Sequence, residues 1–274
     1  MSVFAIDRDK CNGCGVCSAE CPAAVIIMRK GEALPSLAKG GELRCITCGH
    51  CVAVCPTGAL SHERMEPEEC APISRKLLPS GAQVEHLMKS RRSIRVYKKK
   101  PVPRETLAKL IDIARYAPSA ANLQPVHWLV IEDRKEVKRL SSLVVEGMRS
   151  MIEEAPEQDA FSYLGLIVSA WDIGIDVVMW GAPHLIVVHA HRLMGMTQTD
   201  CHIAMTYLEL AAYSMGLGAC WNGLFQMTAA GSPPIMKALQ LPEDHQCFGA
   251  MMIGHPKHKY GRIPLRKEPK VVWR

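Results

Sequence analysis

Eight of the chain's twelve cysteines fall into two copies of one run, Cys11, Cys14, Cys17 and Cys21 before Pro22, and Cys45, Cys48, Cys51 and Cys55 before Pro56. Both read Cys-x2-Cys-x2-Cys-x3-Cys-Pro. Three thiolates this close can cover one face of a compact inorganic core, because a turn after each ligand wraps the chain around it. Structural zinc sites use Cys-x2-Cys pairs and close with four ligands, so a third cysteine at the same short spacing is surplus. Disulfides suit a secreted chain. Here the opening Met-Ser-Val-Phe-Ala-Ile-Asp-Arg-Asp-Lys places charges where the apolar segment of a signal peptide belongs. Left unligated, the eight thiols would be open to oxidation. The runs are therefore read as the ligands of two 4Fe–4S clusters.

In runs of this type the fourth cysteine crosses to the other cluster. That assigns Cys11, Cys14, Cys17 and Cys55 to one cluster, and Cys45, Cys48, Cys51 and Cys21 to the other. About residues 3 to 60 resemble the two-cluster bacterial ferredoxins. His50, between cluster ligands, is expected to tune potential rather than to ligate.

The chain has 274 residues, room for one good-sized core plus a small module. Its apolar fraction of 48% and charged fraction of 22% are ordinary for a globular protein and argue against extensive disorder. The formal charge of +6 divides unevenly, with seven Lys and Arg against nine Asp and Glu over residues 1–70. Oxidised clusters would add about −2 each to that acidic front. Nucleic acid is not expected as a partner, since the basic residues lack aromatic interleaving and a recognised motif. In the most apolar stretch, Tyr163 to Ala190, Asp172, Asp176 and Pro183 interrupt any run of the ~18 residues that a membrane helix needs. A core segment, no membrane, and a reducing cytoplasm are the expectation.

Three domains or segments are expected: the cluster domain over 1–62, a linker over 63–83, and a larger domain over 84–274. Short strands are expected after each Cys-Pro, at 24–28 and 59–61. In the larger domain, Leu107, Leu110, Ile111 and Ala114 recur at helical spacing, which predicts a helix over 104–116. A helix over 137–152 and strands over 127–132, 184–190 and 248–254 follow from similar patterns. Thr199 to Met215 predicts a helix with Asp200 in its first turn and Gly216 at its stop, apolar on more than one side and so placed in mid-core or at a dimer interface. The alternation indicates an α+β or α/β layered fold. The His189-Ala190-His191 pair is expected to turn its rings to opposite faces, against a shared metal. Cys70, Cys201 and Cys247 are expected to be inert thiols, and Cys220 a small buried hydrophobe.

Three segments converge on one cofactor type: Ser90-Arg91-Arg92-Ser93-Ile94-Arg95, the loop from Ala117 to Pro125, and the glycine-rich turn from Gly216 to Gly223. Tyr260-Gly261-Arg262 adds a cation. In this order they resemble the FMN-dependent nitroreductase family over 84–274. The resemblance implies an α+β fold, an α/β/α sandwich here joined to a small N-terminal ferredoxin-like domain, that works as a homodimer with FMN at the interface. It implies that Arg91, Arg92, Ser93 and Arg262 hold the FMN phosphate, a task that suits convergent guanidinium and hydroxyl donors. Arg95 matches the position near the pyrimidine edge of the flavin. Pro118, Ser119 and Asn122 match the loop beside the ribityl chain and ring. Gly218 and Trp221 belong to the glycine-rich turn, and the backbone N–H groups of Asn222 and Gly223 match those that reach flavin N5. Many family members carry glutamate where this chain has Asn222, which puts an acid-assisted or nicotinamide-orienting role there in doubt. Arg266 to Arg274 is expected to reach across to the partner copy.

No protein nucleophile or acid–base triad is required, because the flavin carries the chemistry and the protein supplies orientation and solvent exclusion. The leading expectation is an oxidoreductase in which an external low-potential donor, such as ferredoxin, feeds two clusters and then FMN. The acceptor is a small electron-poor molecule: a nitroaromatic, a quinone, an activated alkene or a halogenated aromatic. One alternative makes NAD(P)H the donor and the clusters an outlet toward ferredoxin. Another is a redox sensor or electron carrier with no substrate of its own.

Overall fold

The computed structural model describes residues 3–154, 162–193 and 195–274. They form two compact units, Met1–Leu78 with Ala121–Leu123, and Pro79–Ala120 with Gln124–Arg274.

The first unit is a sequence repeat turned into a structural one. It contains β1 (Phe4–Ile6), α1 (Val16–Ala19), β2 (Ile26–Ile27), β3 (Ser36–Leu37), α2 (Gly41–Arg44), α3 (His50–Val54) and β4 (Leu60–His62). The first strand pairs antiparallel with β4, and β2 with β3. Each cysteine run makes the same path: a left-handed residue, a left-handed glycine, a one-turn helix, then a left-handed residue after Cys-Pro. The paired positions are Gly13 and Thr47 (φ 66° and 53°), Gly15 and Gly49 (71° and 72°), and Ala24 and Gly58 (50° and 63°). Thr47 and Ala24 thus hold a conformation that their glycine counterparts reach without steric cost. The strand expected over 24–28 contracts to two residues, because Ala24 is spent on this turn. Val3, Phe4, Val25, Ile26, Val52 and Leu60 make a small core around the cysteines.

The segment expected as a linker over 63–83 contains 3-10 turns at Pro67–Glu69 and Arg75–Leu77. Its end is taken by α4 (Gly81–Ser90), which starts early because Ser80 and Gln83 form a reciprocal capping box.

The second unit is three-layered. Its central sheet has strands β5 (His127–Ile131), β6 (His184–His191), β7 (Gly218–Trp221) and β8 (His245–Gly254), in the order β5-β6-β8-β7 and antiparallel throughout. The two inner strands are buried almost end to end, which explains the β-branched run of β6. On one face Val187, Leu185, Ala250 and Met252 pack on α6 (Arg134–Glu154), α7 (Ser162–Asp172), α9 (Gly223–Gly231) and α10 (Pro233–Leu239). On the other, Ile186, Val188, Met251 and Ile253 pack on α5 (Arg104–Ala114) and α8 (Thr197–Ser214). The result is an α/β/α sandwich. The expected helix at 199–215 is α8, which starts two residues earlier and ends one residue earlier. It lies in mid-core against the sheet, with Cys201, Met205, Leu208 and Ala212 all but inaccessible. Gly216 ends it at φ 73°, where only glycine turns freely. Among the described residues, no helix is long and apolar enough to cross a membrane.

Candidate cofactor sites

In the first unit the eight run cysteines sort into two cavities. Cys11, Cys14, Cys17 and Cys55 line one, with Ile6, Pro35 and Leu60. Cys45, Cys48, Cys51 and Cys21 line the other, with Phe4, Val25, Ile26 and His62. Each cavity therefore takes three cysteines from one run and the last cysteine of the other. The electrostatics sort the same way. Burial pushes the Cys17 thiol up, helped by Cys55 and Cys14. It pushes Cys51 up to about 11, helped by Cys48, Cys21 and Cys45. Thiols gathered four to an apolar cavity, with Cys17 and Cys51 resisting ionisation alone, are suited to a polynuclear cation that stabilises the thiolates.

The crossing cysteines are the best hydrogen-bonded ones. Val25 N–H donates to Cys21 Sγ at 3.4 Å and Ala59 N–H to Cys55 Sγ at 3.2 Å, the same bond in each half. At Cys55 burial favours the thiol. Bonds from the Thr57 hydroxyl and from backbone N–H groups outweigh it and hold this group below the ordinary cysteine range. One departure from symmetry was not anticipated. His62, buried at the end of β4, puts Nε2 3.7 Å from Cys45 Sγ. The sequence singles out His50 instead; it is exposed at the start of α3. Nothing local marks His62, which reaches the sulfur through the pairing of β4 with β1.

In the second unit, Ser93 bridges to Ala219 of β7, and Ile94 N–H donates to Ala219 O at 2.9 Å. This pairing brings Arg91, Ser93 and Arg95 beside Cys220 and Trp221. Burial raises the Cys220 thiol against the opposing effects of Arg95, Ser93 and Arg91. Arg91 Nη1 binds Glu209 Oε1 at 2.9 Å. Glu209 is a nearly inaccessible carboxylate of α8 whose pKa is raised by burial and held back by Arg91 and Trp221. This partner was missed, although an acid in the middle of an apolar helix was its visible signal. Arg92 folds back on the carbonyls of Arg91 and Lys89.

Other expected site residues have structural tasks. A Cβ on Gly218 would meet Ile94 Cβ at 2.8 Å, so its smallness serves this packing rather than a ligand. Asn222 caps α9 through Phe225 N–H, its Nδ2 donates to Val178 O, and its backbone N–H donates to Ala250 O. Its N–H is therefore removed from the pair expected to face flavin N5, and Gly223 is left; a Cβ built there would meet open space. Ser119 Oγ accepts from Gln124 N–H, and Ala120 N–H donates to Asp200 Oδ1, tying the Pro118–Ser119 loop to α8. Asn122 falls in the first unit, where its Nδ2 donates to the carbonyls of Ile46 and Thr47. Arg262 lies in the exposed, irregular C-terminal segment. The donor set that remains beside β7, two or three guanidiniums, a serine hydroxyl and an indole with open space before Gly223, fits an anionic, flat-ringed cofactor.

Residues 88–255 match the nitroreductase family, and residues 10–60 match the 4Fe-4S dicluster domain. The chain belongs to the nitroreductase family. An iodotyrosine deiodinase from Thermotoga neapolitana is 25% identical over 64% of this chain and 91% of its own length. An FMN reductase (NAD(P)H) from Bacillus subtilis is 27% identical over 63% of this chain and 66% of its own. A solved nitroreductase with bound FMN from Bacteroides fragilis superposes with a TM-score of 0.57 at 23% identity, covering 69% of this chain and 95% of that one. That likeness concerns the fold, and this nitroreductase-family chain adds to the shared sandwich the cysteine-rich module at its front.

Proposed function

We propose that this protein is an iron–sulfur flavoprotein oxidoreductase. Electrons from an external low-potential donor, such as a ferredoxin, would enter two 4Fe–4S clusters, pass to FMN, and reduce a small electron-poor acceptor such as a nitroaromatic, quinone or activated alkene. The observation that carries this reading is the sorting of eight cysteines into two cavities with exchanged fourth ligands, in a chain that also belongs to the nitroreductase family. FMN in the names of the Bacillus subtilis reductase and the Bacteroides fragilis nitroreductase supports the flavin, as does the donor set beside β7. Bound there, flavin would supply exchange between single and paired electrons.

The chain's own residues have definable tasks. Arg91, Arg92, Ser93 and Arg262 would neutralise and orient a phosphate. Arg95 would place positive charge at a ring edge, Pro118 and Ser119 would border the ribityl chain, and the Gly223 N–H would donate to the ring. Trp221 would exclude water from one side. Domain limits of 1–62 and 84–274, a cytoplasmic setting and a homodimer belong to the same proposal. The exposed apolar side chains of Val271, Val272 and Trp273 support an arm that packs on a second copy.

An anaerobic titration followed by visible and EPR spectra tests the reading. The expected result is two 4Fe–4S signals and one flavin per chain, filled by a low-potential donor. Flavin reduced by NADH at turnover speed in protein stripped of clusters would refute the route through them.

A further inference from the structure

Antiparallel pairing brings the start of β5, the end of β6 and the start of β8 to one end of the sheet, and each carries histidine there. His127 pairs with His189, and His191 with His245. The sequence expectation that His189 and His191 face apart is wrong: residues two apart on a strand share a face. A β-bulge completes the set. Val188 pairs with Gly249 but His189 with Cys247, so one extra residue, Phe248, is absorbed in β8. Without it, Gln246 instead of His245 would stand opposite His191. Bulges commonly re-aim side chains in this way.

The rings then converge beyond what strand spacing requires. Two strands separated by a third lie about 9.6 Å apart. The rings of His127 on β5 and His245 on β8 nevertheless approach to 4.7 Å across β6. Each also lies close to His189, at 5.4 Å and 5.0 Å between centroids. His191 follows at 6.3 Å from His245. His189 is 7% exposed, while His127 is open to solvent, so the group has a buried floor and an entrance.

We infer that His127, His189 and His245 bind a divalent transition-metal ion of the Zn²⁺ type, with His191 within reach as a fourth imidazole. Imidazole is a preferred ligand of Zn²⁺, Ni²⁺ and Cu²⁺. Among the described residues, no three such side chains are already closed around one point. Instead Nδ1 of His189 and Nδ1 of His245 share a hydrogen bond at 2.8 Å. Two nitrogens on a tetrahedral zinc, each about 2.0–2.1 Å from it, stand roughly 3.3 Å apart. An opening of about 0.5 Å therefore exchanges the bridging proton for the ion. No proton is lost overall, because the donating ring carries its hydrogen on Nε2 in the other neutral tautomer.

Co²⁺ is the probe, added anaerobically to full-length protein with its iron–sulfur clusters assembled. One equivalent should bind with d–d bands and no thiolate charge-transfer band, and Zn²⁺ should displace it. His127→Gln and His245→Gln are at solvent-accessible positions and should leave the fold intact, as checked by circular dichroism. Each should weaken binding by more than the roughly 10–100-fold that loss of a ligand's supporting partner costs. Zn²⁺ should raise the unfolding midpoint of the unsubstituted protein and not of these variants. Thiolate charge transfer, affinity unchanged in both variants, or no Co²⁺ bound would each overturn the site.

Discussion

The two units bury apolar surface by different means. The second surrounds a four-stranded sheet with helices on both faces and seats residues such as Phe225, Leu185, Met205 and Leu208 at essentially no exposure. The first has a handful of aliphatic and aromatic residues around eight thiols, and its helices are single turns. A helix of four or five residues has no stability of its own. The larger unit is thus a hydrophobic construction, while the smaller one depends on whatever the cysteines hold.

The largest effect expected from that contrast comes from metal. Anaerobic removal of iron should unfold the first unit and leave the second intact, because binding free energy in such small modules is folding free energy. Limited proteolysis checks it: cleavage should spread through residues 3–78 while the fragment beginning near Pro79 survives. Cys21→Ser and Cys55→Ser should each lower iron content by damaging a different cavity. Protection of both units after chelation would erase the contrast.

A cavity in the sandwich should act in the opposite unit. Phe225→Ala is expected to cost about 3–5 kcal/mol in denaturant unfolding of the second unit without changing iron content. Loss of both together would show that the units do not stand separately.

Acid should also fall on the second unit. His184 is buried, its Nε2 accepts from Val102 N–H at 2.8 Å and its Nδ1 lies 3.1 Å from Glu132 O. Burial, chiefly, depresses its pKa below the ordinary 6.5. The unfolded chain therefore takes up a proton there before the folded chain does. The stability this group confers is complete above that value and declines as pH falls below it. His184→Leu should flatten the decline in a series of melts and cost roughly 1–3 kcal/mol at pH 8, since the Val102 N–H loses its acceptor.

The smallest effect compares the two halves of the first unit. Ala24→Gly and Thr47→Gly should each stabilise by about 0.5–1 kcal/mol, the left-handed strain relieved less the added chain entropy. Gly13→Ala should destabilise, since its Cβ would also meet Ala33 O at 2.9 Å. Melting of the iron-loaded protein measures both signs.

Legibility in the sequence followed distance along the chain. The cysteine runs could be read because three of the four cysteines in each cavity lie within seven residues. The helices at 104–116 and 137–152 and the β-branched strand at 184–190 could be read because their periodicity is local. Asn222 was assigned to a ligand from its place in a motif, yet its donors are spent on Val178 and Ala250, contacts made across the sheet and a loop. Glu209 and His62 escaped notice because each meets its partner only through tertiary pairing.

By itself, the sequence determined which eight cysteines form the two runs, the layered α and β class and the family. Tertiary structure decided that Arg91 answers to Glu209, that His62 reaches Cys45, and that three strands deliver their histidines to one end of the sheet. The physical reason is that spacing along a chain controls only neighbours within a turn or two. Strand register, and a single bulge within it, selects which distant side chains share a face.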